Sequence, residues 1–390
     1  MWERGGGSGH LFNLSTIVNT LVRGGHAVSL SVKDPCHTRS LLGGYDIVIA
    51  PLAATMHVAA GTGMARSYAE LLFNLGFGNK DELARYLRSW RRFLIEVGPT
   101  AVFCDHADGA LLAAYSLGIP ALVIGNGFFH PPAVSPFPAF ELGFDMDVEG
   151  LPHVEGRVLE SMNSALKEFG RHPIGSLAEF YAYPERIVVS FPELDCYGVR
   201  DGVEYLGALG PTQTPAEPVW KGAGEKIFCY FTRGRGPNPD FVRQLLSEGF
   251  SLLIAAPGLD EGEREALCKQ GVAVEGSHVD LEQVCAQCRL VFSEGNHATT
   301  STILRYGRVP ILLPRQVEQL ATANRLAVQS LGVLPDRSMQ GPIYLELIDR
   351  LEREPGYERN ARSFSKRYRA WDEHVCAGKV QASVENFIGM

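Results

Sequence analysis

No run of about 18 apolar residues occurs anywhere in the sequence, so it offers no candidate for a membrane-spanning helix. The first residues also lack the charged-then-apolar pattern of a secretory signal. Lys and Arg are never massed into a block that could follow a phosphate backbone, and the formal net charge is -8. Nucleic acid is therefore not an expected partner, whereas a single nucleotide stays open. Cysteine is sparse and scattered, at 36, 104, 196, 229, 268, 285, 288 and 376, which is neither the density nor the spacing of a disulfide framework. Reduced thiols in a cytoplasmic protein are the expectation. Cys285 and Cys288 form a C-x-x-C, but no second pair and no nearby histidine completes a zinc site, so both read as core-side residues of a helix. No bound metal is expected.

What the sequence does hold is apolar material in alternating periods. Hydrophobic residues make up 45% and charged residues 21% of 390 residues, enough for a large core and for two domains. Residues 5–33 read as a glycine turn, an amphipathic helix from about 11 to 23, a Gly24-Gly25 stop and a strand from about 27 to 32. Strands are expected at 45–50, 100–105, 121–124 and 186–190, the first of them buried, with helices at 80–95, 109–117 and 151–169 between them. A second series starts at 227–232 and continues through strands at 251–256 and 272–274. Its helices fall at 240–248, 261–269 and 280–288. Such alternation predicts parallel sheets with helices on both faces. The Pro/Gly/Ala-biased stretch 207–224 reads as a linker, and 131–138 as an extended surface loop.

One element is short. Only residues 1–4 precede the glycines, fewer than the five or six that a strand before such a turn normally needs. The first strand of the N-terminal domain is therefore expected to be missing, its central position vacant and the chain truncated at its start.

Residues 290–319 concentrate the ligand signals. A short apolar strand leads into Gly295, Asn296, His297 and Ala298, where backbone can approach a ligand; Thr299 and Thr300 open a helix, and Glu318-Gln319 follow a second strand that ends at Pro314. The unpaired N–H groups of a helix start favour an anion, and phosphate is the natural guest.

Three motifs in this order and spacing carry a resemblance: GGGSGH at 5–10 with RGGHAV at 23–28; CDHADGALLAAYSLGIP at 104–120; and SEGNHATTSTILRYGRVPILLPRQVEQLATANRL at 293–326. Over essentially its full length the chain resembles GT-B glycosyltransferases of the UDP-glycosyltransferase type, closest to the bacterial macrolide- and flavonoid-glycosyltransferase-like branch. The resemblance implies an α/β protein of two Rossmann-like, doubly wound parallel-sheet domains facing a cleft. An acceptor-binding domain would span 1–206 and a nucleotide-sugar-binding domain 225–362, with a final helix at 363–390 returning to the first. It implies an inverting transferase that moves a hexose from a UDP- or TDP-sugar, as substrate and without a cofactor, to a hydroxyl of a small lipophilic acceptor. Acceptor loops would lie near 55–78 and 126–146.

By the same resemblance His10 is the general base and Asp105 the carboxylate that orients it, a pairing suited to the unperturbed histidine pKa near 6.5. Taken alone, His10 would be an ordinary loop histidine, and His106 is an adjacent alternative. The donor diphosphate falls to Gly295, His297, Thr299, Thr300 and Thr232, and the donor sugar to Glu318 and Gln319. The last two could equally form a helix-start cap, and His297 could face solvent. The family pattern is close to S-H-G-G-x-G-T-T, whereas this chain has S-E-G-N-H-A-T-T. Glu294 thus replaces a phosphate-binding histidine, with Asn296 and Ala298 in place of glycines. A carboxylate there repels a diphosphate by about 1–4 kcal/mol at 4 Å, so weakened donor binding is expected, with Arg233 and Arg235 as possible offsets or as surface residues. Ser277 to Val279 are candidates for base recognition. A degenerate protein of this fold that binds a nucleotide-sugar or a partner without turnover is the second reading, and a nucleotide-sugar epimerase the third.

Overall fold

The apolar runs form parallel strands: every ladder between the strands named below is parallel. The structure is a computed structural model that describes all residues except 6–8, 57–62, 211–214, 232–235, 277, 337–342 and 390. Thr232, Arg233, Arg235 and Ser277 therefore lie outside the described residues. Two compact units emerge: Met1–Ser190, Asp195–Gly207 and Cys376–Met390 form unit 1, and Phe191–Leu194 with Ala208–Val375 form unit 2. Among the described residues no helix is long and apolar enough to cross a membrane.

Unit 1 contains β1 (Ser29–Val32), β2 (Val48–Pro51), β3 (Val102–Cys104), β4 (Ala121–Gly125) and β5 (Glu185–Val188). β1 pairs with β2, and β3, β4 and β5 pair in sequence. The position between β1 and β3 is not vacant, contrary to expectation. Trp2 makes parallel bridges to Val32 on one side and Asp105 on the other. Its N–H donates to Ser31 O and its carbonyl accepts from Lys33 N, while Met1 N donates to Phe103 O and Met1 O accepts from Asp105 N. Backbone groups in the middle of a sheet must find partners, and two residues suffice to join the two ladders here. The buried strand expected at 45–50 is instead an edge: β2 pairs on one side, and Val48 is 63% exposed.

The helix Gly9–Arg23 lays Leu11, Leu14 and Val18 against Trp2, Leu30 and Val32, the i, i+3, i+7 face its sequence presents. Deeper in unit 1, the helix Lys80–Val97 is capped by Asn79, whose side chain accepts from Glu82 N at 3.1 Å, and stopped by Gly98 at φ 61. It buries Leu83, Leu87, Trp90 and Leu94, each contributing about 1.5–3 kcal/mol of apolar burial.

Unit 2 contains β6 (Lys226–Tyr230), β7 (Ser251–Ala255), β8 (Ala273–Glu275), β9 (Leu290–Ser293) and β10 (Pro310–Leu312) in the order β10-β9-β6-β7-β8. β6 comes first in sequence yet lies in the middle, so the connections reverse direction between β6 and β9. In an open α/β sheet that reversal opens a crevice beyond the strand C-termini, where ligands bind. The described part of the expected linker packs on this unit. Ala216 bridges Val279, donating to His278 O and accepting from Asp280 N, and the Lys221 carbonyl accepts from Ser251 Oγ. The helix expected to leave unit 2 at 363 also stays in it. The helix Gly356–Arg367 buries Tyr357, Ala361 and Phe364, and Phe364 and Tyr368 pack on Phe191 with ring centroids 5.3 and 4.4 Å away. The return to unit 1 comes at Cys376, within the helix Glu373–Ile388. There Cys376, Val380 and Val384 are fully buried, and Phe387 meets Phe103 edge-on at 5.5 Å.

A polar cluster closes the last loop of unit 1. Asp195, fully buried, accepts from Arg200 at 2.8 Å and from Tyr205 Oη at 2.7 Å, and Arg200 Nη1 donates to the carbonyl of buried His130 at 2.5 Å. Burial, then the charges of Arg186 and Arg200, push the His130 imidazole down to about 3. It is neutral when folded, whereas the unfolded chain protonates it near pH 6.5. The lowered folded pKa makes its contribution fully present above about 6.5 and lost progressively as pH falls toward 3. Thermal unfolding midpoints of the wild-type chain should therefore drop between pH 7 and 4.5. His130→Phe should drop less over the same interval; an unchanged slope would contradict this account.

Candidate active site

At the C-terminal end of β3, Asp105 is fully buried and both of its oxygens are engaged. His10 Nδ1 lies 2.7 Å from Oδ1, and Asn13 Nδ2 donates to Oδ2 at 2.8 Å. His10 and Asn13 are i, i+3 neighbours on the first turns of the helix Gly9–Arg23, so they share the face turned to the strand end. The structure thus brings together the two residues expected to act as base and orienter. Asn13 was not anticipated, although its spacing from His10 was a readable signal. A carboxylate accepts only, so Nδ1 carries the proton and the basic lone pair falls on Nε2. The same carboxylate offsets the unfavourable placement of a cation at a helix N-terminus.

The imidazole is also held by packing. Trp2 stacks on it at 5.5 Å and Phe129 flanks it at 5.7 Å. Gly5, at φ +85, passes so close that a Cβ there would stand 2.1 Å from His10 Nε2, which admits only glycine. The ring of the adjacent alternative, His106, lies 6.1 Å from that of His10. His106 sits at φ 45 with its ring 4.2 Å from that of Phe129, both ring nitrogens are shielded from solvent without a hydrogen-bond partner, and burial holds its pKa well below the ordinary value.

In unit 2, β9 ends at Ser293 and the chain turns through Glu294 and Gly295, at φ +86, into the helix His297–Arg305. Asn296 stands at the cap position without a side-chain bond to the helix. Thr300 is fully buried and Thr299 half-buried. His297 is half-buried, and burial lowers its pKa to about 4, so the imidazole is neutral at pH 7. Gln319, 6% exposed, has its amide committed at both ends. Its Oε1 accepts from Arg315 N at 2.9 Å and Gln316 N at 3.2 Å, and its Nε2 donates to Asn296 Oδ1 at 3.1 Å. A reciprocal cap with Gln316 at the start of the helix Val317–Val328 engages this amide, the helix-start role that the sequence offered beside sugar binding. Glu318 lies half-buried in the same first turn.

Glu294 is the larger surprise. Its side chain is fully buried, and its Oε1 forms an ion pair with Arg315 Nε at 3.0 Å. The carboxylate expected to repel a diphosphate, with Arg233 and Arg235 as possible offsets, is ion-paired with Arg315. Together with Leu313 N donating to Ser293 O at 2.8 Å, these contacts stitch the turn after β10 to the turn after β9. The thiols of Cys285 and Cys288 are buried, and burial raises both, that of Cys288 to about 11. Among the described residues no group of three or more His, Cys, Asp or Glu is placed to hold a metal.

No family model and no curated protein matches the chain. Solved structures do. A crystal structure of the glycotransferase of kitacinnamycin matches at 17% identity with TM-score 0.67, over 95% of this chain and 94% of that one. CalG4, the calicheamicin glycosyltransferase, matches at 17% identity and TM-score 0.64, over 100% and 97%. The spinosyn rhamnosyltransferase SpnG complexed with thymidine diphosphate matches at 17% identity and TM-score 0.59, over 96% and 97%. The chain therefore has the GT-B fold of these bacterial glycosyltransferases, two Rossmann-like parallel-sheet units.

If Gln319 is a structural staple, Gln319→Ala costs about 1–3 kcal/mol of unfolding free energy with no ligand present. Urea denaturation measures it. A variant as stable as the wild type would return the amide to a ligand-facing role.

Proposed function

We propose that the chain is a glycosyltransferase of the bacterial macrolide- and flavonoid-type branch, moving a hexose from a TDP- or UDP-sugar to a hydroxyl of a small lipophilic acceptor with inversion at the anomeric carbon. The observation that carries this reading is the His10–Asp105 pair, with Asn13 on the second carboxylate oxygen. In one displacement the acceptor oxygen bonds to the anomeric carbon as the bond from that carbon to the diphosphate oxygen breaks. The acceptor proton passes to His10 Nε2, and the electron pair leaves with the nucleoside diphosphate. Asp105 keeps the tautomer fixed and stabilises the imidazolium once formed. The start of the helix His297–Arg305, with Gly295, Thr299, Thr300 and neutral His297, meets the growing negative charge on the leaving group. Glu318 accepts from donor sugar hydroxyls. The match to a rhamnosyltransferase complexed with thymidine diphosphate supports a TDP-sugar as the first donor to try.

The test is release of nucleoside diphosphate from TDP- and UDP-hexoses across a panel of lipophilic hydroxyl acceptors. Asp105→Asn and His10→Ala should each lower turnover by about 10²–10⁴-fold while donor binding is retained, the range that a positioned general base supplies. Donor binding by the wild type without release in any pairing would favour a binding protein over an enzyme. Undiminished turnover in the His10 variant would remove the base assigned here.

A further inference from the structure

Arg315 is held at three points. Its Nε meets the buried Glu294 carboxylate at 3.0 Å, its Nη2 donates to Gly236 O at 3.3 Å, and its guanidinium lies 5.5 Å from the centroid of the Phe231 ring. Phe231 directly follows β6, Gly236 comes six residues after the end of β6, and Glu294 directly follows β9. These strands flank the place where the connections of the sheet reverse, which is where an open α/β sheet receives its ligand. Arg315 is thus suspended over the crevice from both of its walls. Its side chain remains 29% exposed while that of its carboxylate partner is fully covered. A surface ion pair made for stability alone has no need to bury its acid so completely, since such pairs contribute little. A buried acid that fixes an exposed guanidinium is how a cation is aimed outward. The planar fork of arginine suits two phosphate oxygens at once.

We propose that Arg315 binds the diphosphate of a nucleotide donor and that Glu294 is its positioning residue, so that the acid strengthens diphosphate binding instead of weakening it. Resting on the nucleotide-sugar reading above, this gives Glu294 the opposite sign from the one its place in the motif suggested. The pair takes over the charge role of the histidine that the motif lacks, with the cation supplied from the turn after β10.

Isothermal titration of the full chain with TDP, UDP and the phosphate-free nucleosides tests it. Arg315→Gln should weaken diphosphate binding 10-fold or more, and Arg315→Lys by less. Glu294→Gln, nearly isosteric, should weaken it several-fold, and the double variant should be no weaker than Arg315→Gln alone. Nucleoside affinity should not change in any of them, which separates loss of a phosphate contact from general loosening of the unit. Tighter diphosphate binding by Glu294→Gln, or undiminished binding by Arg315→Gln, would overturn the inference while leaving the nucleotide-sugar reading intact. A wild-type chain that binds neither diphosphate would overturn that reading and the inference with it.

Discussion

A buried carboxyl group must have its oxygens met by hydrogen-bonding partners, and Asp105 imposes that condition on unit 1. Its two oxygens fix His10 and Asn13, hence the rotation of the helix Gly9–Arg23 about its axis. That rotation in turn places Leu11, Leu14 and Val18 on Trp2 and β1. Its backbone N–H, donating to Met1, joins the ladder that Trp2 completes between β1 and β3. Core packing, sheet continuity and the direction of one imidazole nitrogen are therefore a single constraint. The positive φ of Gly5 belongs to it too, because the chain must pass within van der Waals distance of Nε2 to enter the helix from the middle of the sheet.

Unit 2 solves a different problem, that of holding two irregular turns still at the edge of a parallel sheet. The β9–β10 register ends at Ser293 and Leu312, with one last backbone bond from Leu313 N to Ser293 O, and side chains continue the work beyond it. Gln319 ties the start of its own helix to Asn296, and Arg315 ties it to Glu294. The substitutions at 294 and 296 that set the sequence apart from the S-H-G-G pattern are the two positions that these ties engage.

Much of this was legible in the sequence. Period and punctuation placed the strands within a few residues, because apolar runs bounded by Gly and Pro leave little choice in an alternating α/β chain, whereas the helices Pro35–Leu42, Tyr68–Leu72, Leu177–Ala182 and Ile343–Arg353 were not anticipated. His10 and Asp105 are 95 positions apart and were paired only through the motifs around them. Asn13 shares a helix face with His10, and its role was readable from spacing once Asp105 was named. Arg315 was not readable, because its partner lies across two strand ends and nothing local distinguishes it from any solvated arginine. For Gln319 the sequence offered two roles, because capping and sugar binding use the same amide, and the structure shows the capping contacts. At the start of the chain no strand forms, as strand length suggested, but Trp2 bridges the strands on either side, so the central position is not vacant.

The changeover at Val375 and Cys376 has a consequence in time. Unit 1 is assembled from three pieces of chain, the last of which contributes the fully buried Cys376, Val380 and Val384. Unit 2 draws on residues up to Val375. During synthesis from the N-terminus, every residue that unit 2 requires is available before the final helix of unit 1 has been made. The half of the protein that begins first is the half that must finish last, and until it does the apolar surface awaiting that helix stands open to water.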